Sequence, residues 1–219
     1  MLLVGHQFLQ TCFNHFCCCS DEKTFSSKLS LSAQEGGPYH SLLQDVLGAY
    51  VCYRPDIGYV QGMSFIAAIL VLVMPDPADA FILLANLLNW PSLAAFYSVQ
   101  QEQMEHIYLS FSSLLAEQLP SLSDHFTLLG LRPDLYLLDW IMTLYSKCFP
   151  LDTACRLVDL LLRDGEQFLL RPGLAILALY EPQLRAESDF VLLAQFLARL
   201  PDTLDNEALF NKISEISTC

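Results

Sequence analysis

Positive charge is scarce in this sequence. Its 219 residues carry 11 Lys and Arg against 24 Asp and Glu, for a formal net charge of −13. A body of that sign repels phosphate backbones and anionic lipid, so nucleic acid and bare membrane surfaces are poor partners and a basic patch on another protein fits better. No arginine precedes Arg54. Long apolar runs are missing too. The longest, Phe65 to Met74, is ten residues, where a membrane-spanning helix needs roughly 20; a helix buried in a soluble core is the better reading. The segment Met1 to Ser20 is apolar but has no basic flank and no small-x-small cleavage site, so we expect neither a signal peptide nor an anchor. The chain is then expected in the cytosol, with its eight cysteines as thiols. No Cys-x-x-Cys occurs, and the adjacent Cys17, Cys18 and Cys19 lack the spacers of a zinc site. We expect no metal there, with acylation of those three cysteines as a weaker alternative. Glycine is sparse, 9 residues, and no alternating apolar pattern of useful length appears, which excludes a substantial sheet.

What the chain does have is apolar mass. Apolar residues make up 53% of it and charged residues 16%, enough for one sizeable core and too little charge for a disordered chain. Ser20 to Tyr39 is the one polar, small-residue stretch, and Gly36-Gly37-Pro38 is a strong turn signal. The organisation expected is a divergent segment over residues 1–35, an all-α domain of about ten helices over residues 36–203, and a tail over residues 204–219. Leu42, Leu43, Val46, Leu47, Tyr50 and Val51 follow one helical face, and Arg54-Pro55 ends that helix. An almost wholly apolar helix should start near Tyr59 or Gln61 and stop before Pro75. Asp76 is a cap for the helix after it, with Pro77 in the first position. Further helices are expected from Pro91 to about Tyr97, from Gln101 through Leu119, from Leu122 to Leu129, from Pro133 to Phe149, and from Asp152 to the cap at Gly165. Two more should follow, the last over "SDFVLLAQFLARLP".

Chemistry-bearing motifs are few. There is no phosphate-cradling glycine loop, no His-Glu-x-x-His and no Gly-x-Ser-x-Gly. Ser64 reads as a small residue in a packed helix. The carboxylates of Asp134, Asp139, Asp159 and Asp164 read as caps and helix-dipole partners. His106 and His125 have no ligand partner at a suitable spacing and read as surface side chains. One stretch is different: "GYVQGMSFIAA" sets polar Gln61, followed at once by Gly62, at the mouth of the most apolar run. From the residues alone, Gln61 is either a helix-end amide beside a glycine, with Tyr59 as packing, or an amide that the helix holds at a reaction centre, and the first reading has the edge.

That stretch resembles the Tyr-x-Gln motif of the TBC domain family, the all-helical module that activates Rab-type small GTPases in vesicle trafficking. The resemblance covers roughly Gly36 to Pro201. It includes "GGPYHSLLQDVLGAYVCYRPDIGYVQGMSFIAA" and a later block in which Trp140, Pro150, Arg156, Asp159, Asp164 and Gly165 occur in the family's order. It looks closest to the branch linked to autophagy and recycling endosomes. The resemblance implies a partner, a Rab-family GTPase in its GTP form, and no cofactor of the chain's own, since GTP and magnesium belong to that partner. Its residues place Gln61 in the partner's active site to orient water, with Tyr59 and Gly62 shaping the insertion. The chain would then be an activator rather than an enzyme, cytoplasmic, and peripheral on endosomal, Golgi or autophagic membranes through its partners.

The departures from the family pattern are equally specific. Its arginine finger has no counterpart here; the nearest remnant is Lys23-Thr24-Phe25, and a lysine lacks the forked contact of a guanidinium. Arg54, beside Pro55 and near Gln61, is the candidate to face a partner, or else a charge at a helix C-terminus. Val158 stands where the family has Trp, and the residues from Met1 to about Ser32 look unrelated. These departures leave an alternative open: a TBC-like module that binds a GTPase or another protein without stimulating hydrolysis.

Overall fold

A computed structural model describes residues 39–201 and 205–216. Among them are eleven α-helices, one short 3-10 segment and no strand, so the all-α expectation holds. The order is α1 His40–Tyr53, α2 Met63–Val73, α3 Pro77–Leu88, α4 Pro91–Tyr97, α5 Gln101–Gln118, α6 Pro120–Leu129, α7 Asp134–Met142 and α8 Leu151–Asp164. The 3-10 turn Glu166–Leu170 follows, then α9 Arg171–Ala186, α10 Phe190–Ala198 and α11 Asn206–Glu215.

Helices α1, α2 and α3 pack on one another. Helix α1 buries Leu43, Val46, Leu47 and Tyr50, the three- and four-residue steps of one face. Helix α2 is apolar all round and is buried along most of its length, from Met63 to Val71 with only Phe65 half-exposed, as a helix surrounded by others must be. The Asp76 carboxylate accepts from the Ala78 N–H at 2.8 Å and caps α3, with Pro77 in the first turn. The second half is built on α7 and α9. Trp140 of α7 is fully buried and donates its indole N–H to the Leu197 carbonyl at the end of α10, at 3.2 Å. Among the described residues, no single helix is long and apolar enough to cross a membrane.

Three local expectations differ from the structure. Helix α7 stops at Met142 rather than running to Phe149. Leu144 and Tyr145 take left-handed backbone, φ 47° and 61°, which L-residues adopt only under outside constraint. The constraint is tertiary: both side chains are buried, and the Tyr145 hydroxyl donates to the Leu169 carbonyl at 2.8 Å. Helix α2 begins at Met63, so Tyr59 and Gln61 precede it. The stretch after Pro201 carries a helix: α11 packs along α9 and buries Leu209 and Ile213. The Arg156 guanidinium of α8 lies 3.7 Å from the centre of the Phe210 ring.

Candidate functional site

The segment between α1 and α2 is a turn braced at both ends. At its start the Arg54 carbonyl accepts from the N–H groups of Ile57 and Gly58, at 3.1 and 2.9 Å, which folds the chain back over Pro55. The Arg54 guanidinium does not cap α1. It forks onto Asp56, with Nε to Oδ1 at 3.0 Å and Nη2 to Oδ2 at 2.8 Å, while Nη1 donates to Asn89 Oδ1. The hydrogen bond from Arg54 holds the Asp56 carboxyl below the ordinary carboxylate range and raises the Arg54 guanidinium in turn. The Arg54 charge is engaged by Asp56 of the loop and by Asn89.

At the far end the backbone descends into the core. The Tyr59 hydroxyl donates to Ser64 Oγ at 3.2 Å, which gives buried Ser64 its polar partner. The Val60 N–H points at Met63 Sδ, 3.4 Å away, and the Met63 N–H returns to the Val60 carbonyl at 3.2 Å. Gly62 is buried with φ +107°. A Cβ there would lie 2.9 Å from the Met142 carbonyl oxygen, so this position needs glycine for conformation and for space. The start of α2 is displaced from Gln61 to Met63 by this turn.

Gln61 stands between these anchors. Its side chain is exposed and makes no hydrogen bond with the described residues. Buried Gly62 and Met63 follow it directly, and half-buried Tyr59 and Val60 precede it. The result is one free amide, able to donate and to accept, held out by a turn with little room to move. The structure thus brings Tyr59, Gln61, Gly62 and Arg54 into one loop; Lys23 lies outside the described residues. Sequence reasoning missed Asn89 and Met142, which meet the loop at Arg54 and Gly62 from 35 or more residues away along the chain; nothing in the local pattern "NLLNWP" or "DWIMTL" marks them.

Of the other candidates, Asp139 pairs with Lys147 at 2.8 Å and Asp134 with Arg132 at 3.2 Å. Asp164 sits between Arg163 and Arg171. The His125 ring Nε2 meets the Glu187 carbonyl at 2.8 Å, and His106 is exposed. Among the described residues no group of three or more His, Cys, Asp or Glu is placed to hold a metal ion.

The all-α array that carries this loop is similar to known proteins. The family model of the Rab-GTPase-TBC domain matches residues 22–185. TBC1 domain family member 12 of Xenopus tropicalis is 55% identical over 183 residues, covering 84% of this chain and 26% of that protein. Human TBC1 domain family member 14 is 54% identical over the same coverage, and Drainin of Dictyostelium discoideum is 40% identical over 184 residues, 84% of this chain and 42% of that protein. Among solved structures, the Chlamydomonas flagellar RabGAP TBC domain superposes with a TM-score of 0.76 at 25% identity, covering 98% of this chain and 70% of that one. The Ypt/Rab-GAP domain of Gyp1p shares the fold, with a TM-score of 0.67 at 19% identity.

This chain belongs to the Rab-GTPase-TBC domain family. It spans about a quarter of the length of the TBC1 relatives it matches. The family match and the superposition agree on the all-α TBC-domain fold.

Proposed function

We propose that the chain binds a Rab-family small GTPase in its GTP form and accelerates GTP hydrolysis in trans through Gln61. The observation that carries this reading is the exposed, unengaged Gln61 amide on a turn whose neighbours on both sides are buried or bonded. Water attacking a γ-phosphoryl group must be oriented, and a neutral amide accepts from the water while donating to phosphate oxygen. A rigid mount lowers the entropic cost of that orientation. Tyr59 and Gly62 shape the insertion, GTP and magnesium are the partner's, and the chain contributes no cofactor. Its place of action on this reading is the cytoplasmic face of endosomal, Golgi or autophagic membranes, reached through partners.

Single-turnover hydrolysis across a panel of GTP-loaded Rab proteins tests the reading. Stimulation is expected with the chain and is expected to vanish with Gln61→Ala while binding persists.

A second reading is favoured by one further observation. An arginine supplied in trans is worth about 10³–10⁵ in rate, yet no arginine precedes Arg54 and the Arg54 guanidinium is committed to Asp56 and Asn89. On this reading the chain binds a GTPase without stimulating it, and saturable binding with no rate change is the outcome that selects it. Lys23 falls within the span matched by the family model. If it occupies the finger position, Lys23→Arg raises stimulation; no gain counts against that assignment.

A further inference from the structure

The Met142 carbonyl lies at a helix end. The N–H groups that follow bond elsewhere: Thr143 to Asp139, Leu144 to Ile141, Tyr145 to Trp140 and Ser146 to Thr143. Met142 is half-buried, and a carbonyl passed over in this way takes its donor from outside the helix. The donor comes from α4, where the Tyr97 hydroxyl bonds to the Met142 oxygen. Tyr97 is 2% exposed. Burial, with the neighbouring Tyr50 and Tyr59 phenols, holds its hydroxyl well above the usual tyrosine range.

The same carbonyl is the surface on which Gly62 rests, within 2.9 Å of the position a Cβ would take. A continuous line of close contacts therefore runs from the Tyr97 hydroxyl through Met142 to Gly62, whose neighbour is Gln61. We propose that Tyr97 is a positioning residue: by fixing the Met142 carbonyl it sets the seat of Gly62, and with it the direction in which the Gln61 amide is presented. Its meaning for hydrolysis rests on the function proposed above, but the positioning is a property of the chain alone.

Tyr97→Phe removes the hydroxyl and keeps the ring. By amide exchange on the isolated chain, Val60, Met63 and Phe65 are expected to exchange about tenfold faster than wild type, with the amides of α9 unchanged. Should Tyr97→Phe not fold, the Tyr97 hydroxyl proton of the wild-type chain decides the matter: it is expected to exchange in the same opening as Val60, Met63 and Phe65, and exchange independent of those amides overturns the proposal. Thr153→Val deletes another buried hydroxyl bond, Thr153 Oγ1 to Asn206 Oδ1 at 2.8 Å between α8 and α11, and is expected to leave those three amides at their wild-type rates. With a GTPase that the wild-type chain activates, Tyr97→Phe should lower the saturating single-turnover rate about tenfold and shift half-saturation by less than about twofold. Unchanged exchange of the three amides overturns the proposal whatever the hydrolysis data show. So does a weakened half-saturation with the saturating rate unchanged. Faster exchange in a chain whose wild type stimulates no GTPase upholds the positioning and removes the proposed function.

Discussion

Arg54 Nη1 donates to Asn89 Oδ1 at 2.5 Å, across 35 residues of chain. The bond ties the end of α1 to the end of α3, and the remaining guanidinium nitrogens fork onto Asp56. One cation thereby closes the turn that precedes Gln61. On the function proposed above, an arginine engaged in this brace does not serve as a finger.

Arg54→Lys should separate bracing from stability. An ammonium is a point donor and does not hold a carboxylate bidentately while reaching a third residue. The pair is partly exposed, so urea denaturation is expected to show little change. Single-turnover stimulation is expected to fall about tenfold, because a small misplacement of an orienting group is costly. An Asn89→Ala variant should move in the same direction and by less.

The brace has a pH limit. Because Arg54 lowers the folded-state pKa of Asp56, the ionised form contributes fully above the unfolded value near about 3.9. That contribution is lost as pH falls through the lower, folded-state value. The Arg54 Nε–H resonance should therefore hold its position at pH 5 and shift only below about pH 4. Asp56→Asn should show the shifted resonance already at pH 7.

Gly62→Ala is expected to destabilise the chain by about 1–3 kcal/mol, from left-handed strain alone, before any displacement of Met142 is counted. The cause is its φ of +107° together with the 2.9 Å approach of Met142 O. Urea denaturation measures it, and the loss should exceed that of Gly130→Ala, where a Cβ meets nothing within 4 Å.

Leu209 is fully buried in the contact of α11 with α9. Leu209→Ala should cost about 2–5 kcal/mol. A loss below 0.5 kcal/mol, on the order of a surface substitution, would mean that α11 is not part of the folded core.

Thiol reactivity should follow burial. Burial pushes the Cys148 thiol far above its ordinary value, whereas Cys52 is exposed. At pH 8, peptide mapping after brief iodoacetamide treatment should find Cys52 modified and Cys148 intact, with Cys148 reacting only under denaturant.

Much of this architecture is legible in the residue pattern, and the failures are instructive. The Asp76 cap and the proline-opened starts of α3 and α4 depend on contacts within one turn, so local reading finds them. Helix α7 was expected to reach Phe149 because Leu144 and Tyr145 continue its apolar period; the structure turns them left-handed to bury them against other elements. Gln61 was picked out by its contrast with the apolar run behind it, but its position ahead of the helix follows from Gly62 meeting Met142. Arg54 was ambiguous because its partner Asn89 belongs to another helix.

By itself the sequence determined the helix order, the family, and the presence of an amide and a glycine at the mouth of the most apolar segment. Those are matters of periodicity, punctuation and residue identity, which act over a few positions. Only the tertiary structure decided that the amide is free, that Arg54 is occupied, and that Tyr97 and Met142 carry the turn. The last two depend on side chains and carbonyls that meet across 35 or more residues, and such meetings are set by packing of whole helices rather than by any local preference.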